Sequence, residues 1–265
     1  MLFVIAFIFG VCIGSFLNVL IYRSLNGYSP YKGRSFCDSC KRQLHWYENI
    51  PLVSFLVLQG KCRTCKKKIP WSYPLVEFTT GLLFLWWASL GFAFFRLTQS
   101  PLQVMQPLFW LAIGIILVIV FFTDLLYGII PDYTVGLLTI ITLSYRLILV
   151  SAGIMRPVDF GLSIVSGLVA AGLFLGLFVA TKGRGIGFGD VKFAIPMGII
   201  LGFPKVIVGF FLSFVIGGVL GIVLLLSRQK KFGQTVPFGP FLIAGLLISL
   251  VWGNPIWHWY MSLLS

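Results

Sequence analysis

Acidic residues are nearly absent from this 265-residue chain, which has 7 Asp and Glu, 2 His and only 10% charged residues in all. A soluble domain carries about 25% charged residues, so this scarcity excludes an ordinary water-soluble fold. The 58% of hydrophobic residues and the mean hydropathy of +1.00 point to a bilayer instead. Internal repeats and low-complexity tracts are also missing, and the length allows one or two domains. No basic segment precedes the first apolar run, which therefore reads as an uncleaved anchor with its N-terminus outside rather than as a signal peptide. The basic charge that is present, 20 Lys and Arg for a formal net charge of +13, is clumped between apolar runs. Such clumping reads as membrane topology and not as a nucleic-acid surface.

A bilayer core of about 30 Å needs about 17–25 apolar residues per helix. Residues 2–20, 75–95, 107–122, 133–150, 160–180, 206–226 and 237–252 supply such runs, and 191–201 is a shorter one that carries Lys192 and Pro196. Counting the short run as a span puts 16 of the 20 basic residues on one side of the membrane, among them Arg228, Lys230 and Lys231. Omitting it moves that last cluster across and breaks the asymmetry that cytoplasmic loops show. The sequence therefore predicts an all-α polytopic membrane protein of about eight transmembrane helices, both termini outside, with a small cytoplasmic insertion between helices 1 and 2. Its parts are a first helix over 1–22, an insertion over 23–74 and a multi-helix transmembrane domain over 75–265. Trp252, Trp257, Trp259 and Tyr260 suit an interfacial aromatic anchor.

Four of the five cysteines form two CxxC pairs, Cys37/Cys40 and Cys62/Cys65, inside the basic insertion. Two turns with two thiolates each supply the four sulfurs of a tetrahedral structural zinc site, at near zinc-ribbon spacing. Lys61, Arg63, Lys66, Lys67 and Lys68 lower thiol pKa and offset the charge of four thiolates. Disulfides or metal-free thiols are the competing reading, and a cytoplasmic location disfavours the disulfides. Four sulfurs leave no open position for a catalytic water. Cys12 reads as a small buried hydrophobe, and His45 and His258 as surface polar residues.

With so few acids, each can be weighed alone. Asp124 closes the third run in FFTDLLYGIIPD and Asp190 opens the sixth in GIGFGDVK. A carboxylate at hydrocarbon depth costs about 2.5–3.5 kcal/mol on insertion scales, so such residues usually face a cavity or a partner. The predicted topology puts both at cytoplasmic helix ends, where they can meet and share a proton. That is the arrangement of aspartic proteases, with one carboxylate activating water and the other, protonated, polarising a carbonyl. Gly187 and Gly189 would let a substrate backbone approach and take φ values other residues resist. The bland alternative is a helix cap or a salt bridge, such as Asp190 with Lys192 or Lys182. Asp132, after Pro131, suits an N-cap of the fourth span. Glu77 lies where a helix N-terminus favours an acid and could also bind a cationic ligand. Asp38, Glu48 and Asp159 read as solvated loop residues.

These segments together resemble the prepilin peptidases, the type IV leader peptidase family of bacterial membrane aspartic proteases. GSFLNVLIYR at 14–23, the CxxC pairs, ENIPLVSFL at 48–56, YPLVEFTTG at 73–81, TDLLYGIIPD at 123–132, GIGFGDVK at 185–192 and VPFGPFLIAG at 236–245 occur in family order. The resemblance implies that Asp124 and Asp190 are the catalytic pair, Asp190 being the acid of a GxGD motif. It implies prepilin or pseudopilin substrates of type IV pili or type II secretion, with a basic leader ending in Gly before a hydrophobic helix, cut at the cytoplasmic face of the inner membrane. It also implies N-methylation of the new N-terminus by S-adenosylmethionine, a property of the longer forms that carry the cysteine loop. No GxGxxG follows a strand here and no soluble Rossmann-sized region exists, so the residues themselves reveal no methyl-donor site, and Glu77 is the acid to test for that role. Two rival readings remain open: a peptidase without methyl transfer, and an ion-coupled transporter whose zinc knuckle recruits a partner. The transporter has no visible inverted repeat in its favour.

Overall fold

The computed structural model describes residues 1–29, 32–97, 102–227 and 236–264, so the basic cluster at Arg228, Lys230 and Lys231 lies outside the described residues. Nine α-helices are present among them: α1 Leu2–Leu25, α2 Val53–Val57, α3 Ser72–Leu97, α4 Leu102–Tyr127, α5 Asp132–Ser151, α6 Pro157–Ala180, α7 Phe188–Leu201, α8 Lys205–Leu226 and α9 Gly239–Leu264. Apart from two isolated β-bridges, the described residues hold no extended pairing, as the all-α expectation requires.

Six helices are long and apolar enough to cross a membrane: α1, α5, α6, α8, α9 and the Val104–Tyr127 part of α4. The expected count of eight is not established on that criterion, because α3 and α7 are not among the six. The 14 residues of α7 reach about 21 Å, short of a bilayer core. Its shortness has a cause in the packing. Ten of the 14 residues are buried, from Asp190 to Leu201, and α7 touches α5, α6, α8 and α9. A helix apolar on all sides belongs in a core, and this one is wrapped by protein.

The chain forms two compact units, residues 1–122 and 123–265. In the first, α1 and α3 lie close because small residues face the contact, and a Cβ on Gly14 would stand 2.7 Å from the Glu77 Cα. Leu17, Ile21, Val76, Val118, Ile119 and Phe122 form the buried cluster there. The chain between α1 and α3 carries the cysteines. Its start is tied down by Arg23, whose buried guanidinium donates to the carbonyls of Ser29 (3.2 Å), Lys32 (2.7 Å), Gly33 (3.1 Å) and Arg34 (3.0 Å). The exposed position of Cys12 on α1 corrects the expectation of a buried thiol.

In the second unit, α7 carries the chain from one end to the other. At its start, Lys192 pairs with Asp132 at the first turn of α5. At its finish, Arg146 near the end of α5 donates to the Ile200 carbonyl at 3.0 Å. Asp132 is thus the first residue of α5, with its carboxylate turned to Lys192, and not the N-cap the sequence suggested. Contact between α6 and α7 is backbone to backbone: a Cβ on Gly198 would sit 2.6 Å from the Gly167 Cα. Gly198→Leu should therefore lower stability by about 1–3 kcal/mol through overpacking, read as a lower unfolding temperature in detergent. An unchanged unfolding temperature would refute this close contact.

Candidate active site and metal centre

The seven carboxylates divide by what they meet. Glu48 pairs with Arg42 at 2.7 Å, Asp159 with Arg156 at 2.9 Å, and Asp132 with Lys192. Asp38 accepts the Tyr73 hydroxyl at 2.8 Å. Glu48 is buried, which corrects its reading as a solvated acid. The Arg42 guanidinium holds the Glu48 carboxyl below the usual carboxylate range. The remaining three, Glu77, Asp124 and Asp190, are 9%, 5% and 6% exposed and have no ion pair among the described residues. Burying a carboxylate without a cation is costly, so these are the acids whose placement needs a reason other than stability.

Asp124 sits in the last turn of α4 and Asp190 in the first turn of α7, close enough for their charges to interact. Each is held by a backbone N–H. Gly239, the first residue of α9, donates to Asp124 Oδ2 at 2.7 Å, and Gly187, the N-cap of α7, donates to Asp190 Oδ2 at 3.1 Å. The helix N-terminus favours the Asp190 carboxylate where it stands. Of the bland roles for Asp190, the salt bridge to Lys192 does not form, since Lys192 turns to Asp132, whereas the helix cap does, the carboxylate closing a capping box with Gly187 at the start of α7.

Neither Gly187 nor Gly189 has a positive φ, so the reason for glycine there is space and not conformation. A Cβ on Gly187 would lie 3.3 Å from Asp190 Oδ2, and one on Gly189 would lie 3.2 Å from the Ile130 Cβ. Gly239 escaped the sequence reading. A Cβ on it would stand 2.7 Å from Asp124 Oδ2, so only glycine lets the α9 amide come that near. Its one sequence signal is a glycine before Pro240 at the start of an apolar run, a pattern common to many helix starts.

The cysteine insert repeats itself with an offset of 25 residues, a short internal repeat that corrects the reading of the sequence as having none. Phe36 bridges Gln43 and Lys61 bridges Lys68. The amide of Cys37 donates to the Arg42 carbonyl and that of Cys62 to Lys67, each at 2.9 Å. Lys41 and Lys66, each just after its CxxC, take φ of 56° and 58°. The two turns thus present their thiols in the same way, and all four sulfurs lie within 4.8 Å of one another. Cys37 and Cys65 Sγ are 3.9 Å apart, near the edge of about 3.8 Å for four sulfurs at about 2.3 Å from a metal and far beyond a disulfide bond of about 2.05 Å. Backbone amides of Cys65 and Thr64 pull the Cys62 thiol down to about 6, while burial pushes Cys37 up to about 11. A donor set that holds a thiolate at neutral pH suits a soft cation such as zinc.

Glu77, in the second turn of α3, accepts the Leu52 amide at 2.8 Å. Leu52 itself has φ 58° and ψ −48°, a conformation that a leucine rarely adopts.

The sequence has relatives among known proteins. Residues 8–90 match the Bacterial Peptidase A24 N-terminal domain and residues 111–222 the Type IV leader peptidase family. The chain is 30% identical to the prepilin leader peptidase/N-methyltransferase of Bacillus subtilis, over 98% of this chain and 98% of that protein. It is 32% identical to the proteins of the same name from Legionella pneumophila and Aeromonas hydrophila, over 98% of this chain and 95% and 94% of theirs. No solved structure matches the chain.

Proposed function

The chain belongs to the type IV leader peptidase family, and from that premise we propose that it is a membrane aspartic endopeptidase that removes the leader of prepilins and N-methylates the new N-terminus. The observation that carries the peptidase half is the pair Asp124 and Asp190, both buried, both held by a backbone N–H and neither met by a cation among the described residues. Two carboxylates in electrostatic reach share one proton. The ionised member takes a proton from water as the water oxygen bonds to the scissile carbonyl carbon, and the protonated member donates to the carbonyl oxygen. Collapse of the tetrahedral species breaks the C–N bond, and the nitrogen leaves with a proton returned by the pair. The acid end of α7 is also the end that receives the loop bearing Lys182 and Arg184, so the positive-inside bias puts the cut at the cytoplasmic face of the inner membrane.

For the methyl half, S-adenosylmethionine when bound would supply a methyl group to the neutral amine nitrogen, the electron pair of the broken S–C bond staying on sulfur and the amine giving up one proton to water. Glu77 is the residue of this chain suited to hold that cationic donor, being a buried carboxylate with no cation of its own among the described residues. Zinc held by Cys37, Cys40, Cys62 and Cys65 would be structural, because the four sulfurs fill a tetrahedral shell.

Asp124→Asn and Asp190→Asn should each cut cleavage of a co-expressed prepilin by at least about a hundredfold, with the protein still inserted in the membrane. Cleavage by Asp190→Asn at the unmodified rate would end the assignment.

Gly239→Ala places a methyl group 2.7 Å from Asp124 Oδ2. A displaced carboxylate should cost about a hundredfold in cleavage rate at unchanged substrate affinity, and a loss of affinity alone would contradict a positioning role.

Elemental analysis of the purified chain should find a single zinc, and Cys62→Ser, which removes the buried sulfur, should release it. Intact protein that takes up no metal from excess zinc would remove the metal from the account.

A further inference from the structure

The first compact unit holds a partly open cavity of about 350 Å³, lined by α1, the cysteine insert and the first two turns of α3. None of its lining comes from the unit that holds Asp124 and Asp190. We propose that this cavity is the binding site for the sulfonium methyl donor, with Glu77 as the counter-ion of the sulfonium. The proposal rests on the reading that the chain transfers a methyl group, and it assigns a place and a recognition chemistry to that activity.

The walls suit a small ligand that carries both signs of charge: Arg63, Lys67 and Lys68 line the cavity and could meet the carboxylate of the methyl donor, and Glu77 is the acid left for its sulfonium. Glu77 lines the cavity, is 9% exposed, and has a hydrogen bond from the Leu52 N–H in place of a cation among the described residues. Every other acid of this unit is engaged: Glu48 by Arg42, and Asp38 by the Tyr73 hydroxyl. A buried charge without a partner is stabilised when a ligand of opposite charge enters, and a sulfonium keeps its charge at every pH. The backbone pays for the arrangement at Leu52, whose left-handed φ aims its N–H at the carboxylate; such outliers collect at ligand sites. One turn before Glu77 on α3, the lining is fixed by Asn18 Nδ2, which donates to the Tyr73 carbonyl at 3.0 Å, while the Tyr73 hydroxyl reaches Asp38 between the first two cysteines. The cavity thus hangs between a membrane helix pair and the cysteine turns, and its volume lies at the lower end of the range of about 300–1,000 Å³ for small-molecule sites.

Charge recognition gives the proposal a specific test. S-adenosylmethionine and S-adenosylhomocysteine differ by the methyl group and by the charge it confers on sulfur. Equilibrium binding of both is measured on the purified full chain in nanodiscs. The unmodified chain should prefer the methionine form, and Glu77→Gln should weaken that form by at least about tenfold while leaving the homocysteine form within a factor of two. Val19→Trp, which fills the cavity from α1, should abolish binding of both, with prepilin cleavage retained as evidence of a folded protein, and it decides the matter if the Glu77 variant does not fold. Unchanged affinities in both variants of a chain that binds and transfers methyl groups would overturn the cavity assignment and leave the methyltransferase reading standing. Equal loss of both ligands in Glu77→Gln would overturn the counter-ion role. A chain that neither binds the donor nor methylates a cleaved pilin would overturn the reading beneath it.

Discussion

A carboxylate taken out of water must be met by a cation, by hydrogen-bond donors or by a proton, and the whole functional layout of this chain follows from how its seven are met. Four satisfy the requirement locally, three through ion pairs and one through the Tyr73 hydroxyl. The other three are buried, with backbone amides as their hydrogen-bond donors among the described residues. Such an arrangement is unfavourable for an ionised group in isolation, and of the three only Asp190 also has a local structural role, as the cap of α7. Two of the three interact with each other, and the third lies beside a cavity. On the proposed assignment, peptide hydrolysis and methyl transfer would each draw on uncompensated charge in a different compact unit.

The same constraint explains α7. A helix that brings an acid into an apolar assembly is better placed where protein and not lipid surrounds it, because backbone dipoles can be aimed at the charge only from neighbouring elements. Burial on all sides removes the need for about 20 apolar residues, so 14 suffice. Close approach of α6 through Gly167 and Gly198 lets the short helix sit inside its neighbours without a void. At its N-terminus the Asp190 carboxylate caps the helix back to Gly187, which fixes the side chain before any substrate arrives.

Much of this was legible in the residues. Composition declared the membrane, paired CxxC spacing declared a four-sulfur cluster, and two acids at the ends of apolar runs declared each other. What the sequence hid is of one kind: contacts made by backbone atoms far apart in the chain. Gly239 serves Asp124 from 115 positions away, and no side-chain pattern marks an amide as a donor to a particular oxygen. Lys192 was weighed as a partner for its near neighbour Asp190, whereas its partner is Asp132, 60 positions distant. The hydropathy of α7 was ambiguous for a related reason. A window of apolar residues reports transfer out of water, and it does not distinguish lipid from protein as the destination.

The cysteine insert shows why a metal belongs in an account of methyl transfer that assigns it no chemistry. Between α1 and α3 the chain has two short turns, a helix of five residues and few buried apolar side chains. Segments of that size fold only when something other than a hydrophobic core holds them. Two identical knuckles, 25 residues apart, close on a single set of four sulfurs. Closing that set fixes Asp38, and Asp38 fixes Tyr73 through its hydroxyl. Tyr73 in turn receives Asn18 from α1. A metal held by the four sulfurs would thus stand one hydrogen bond from α3 and two from α1, and the free energy of its binding would contribute to holding the lining of the Glu77 cavity in place.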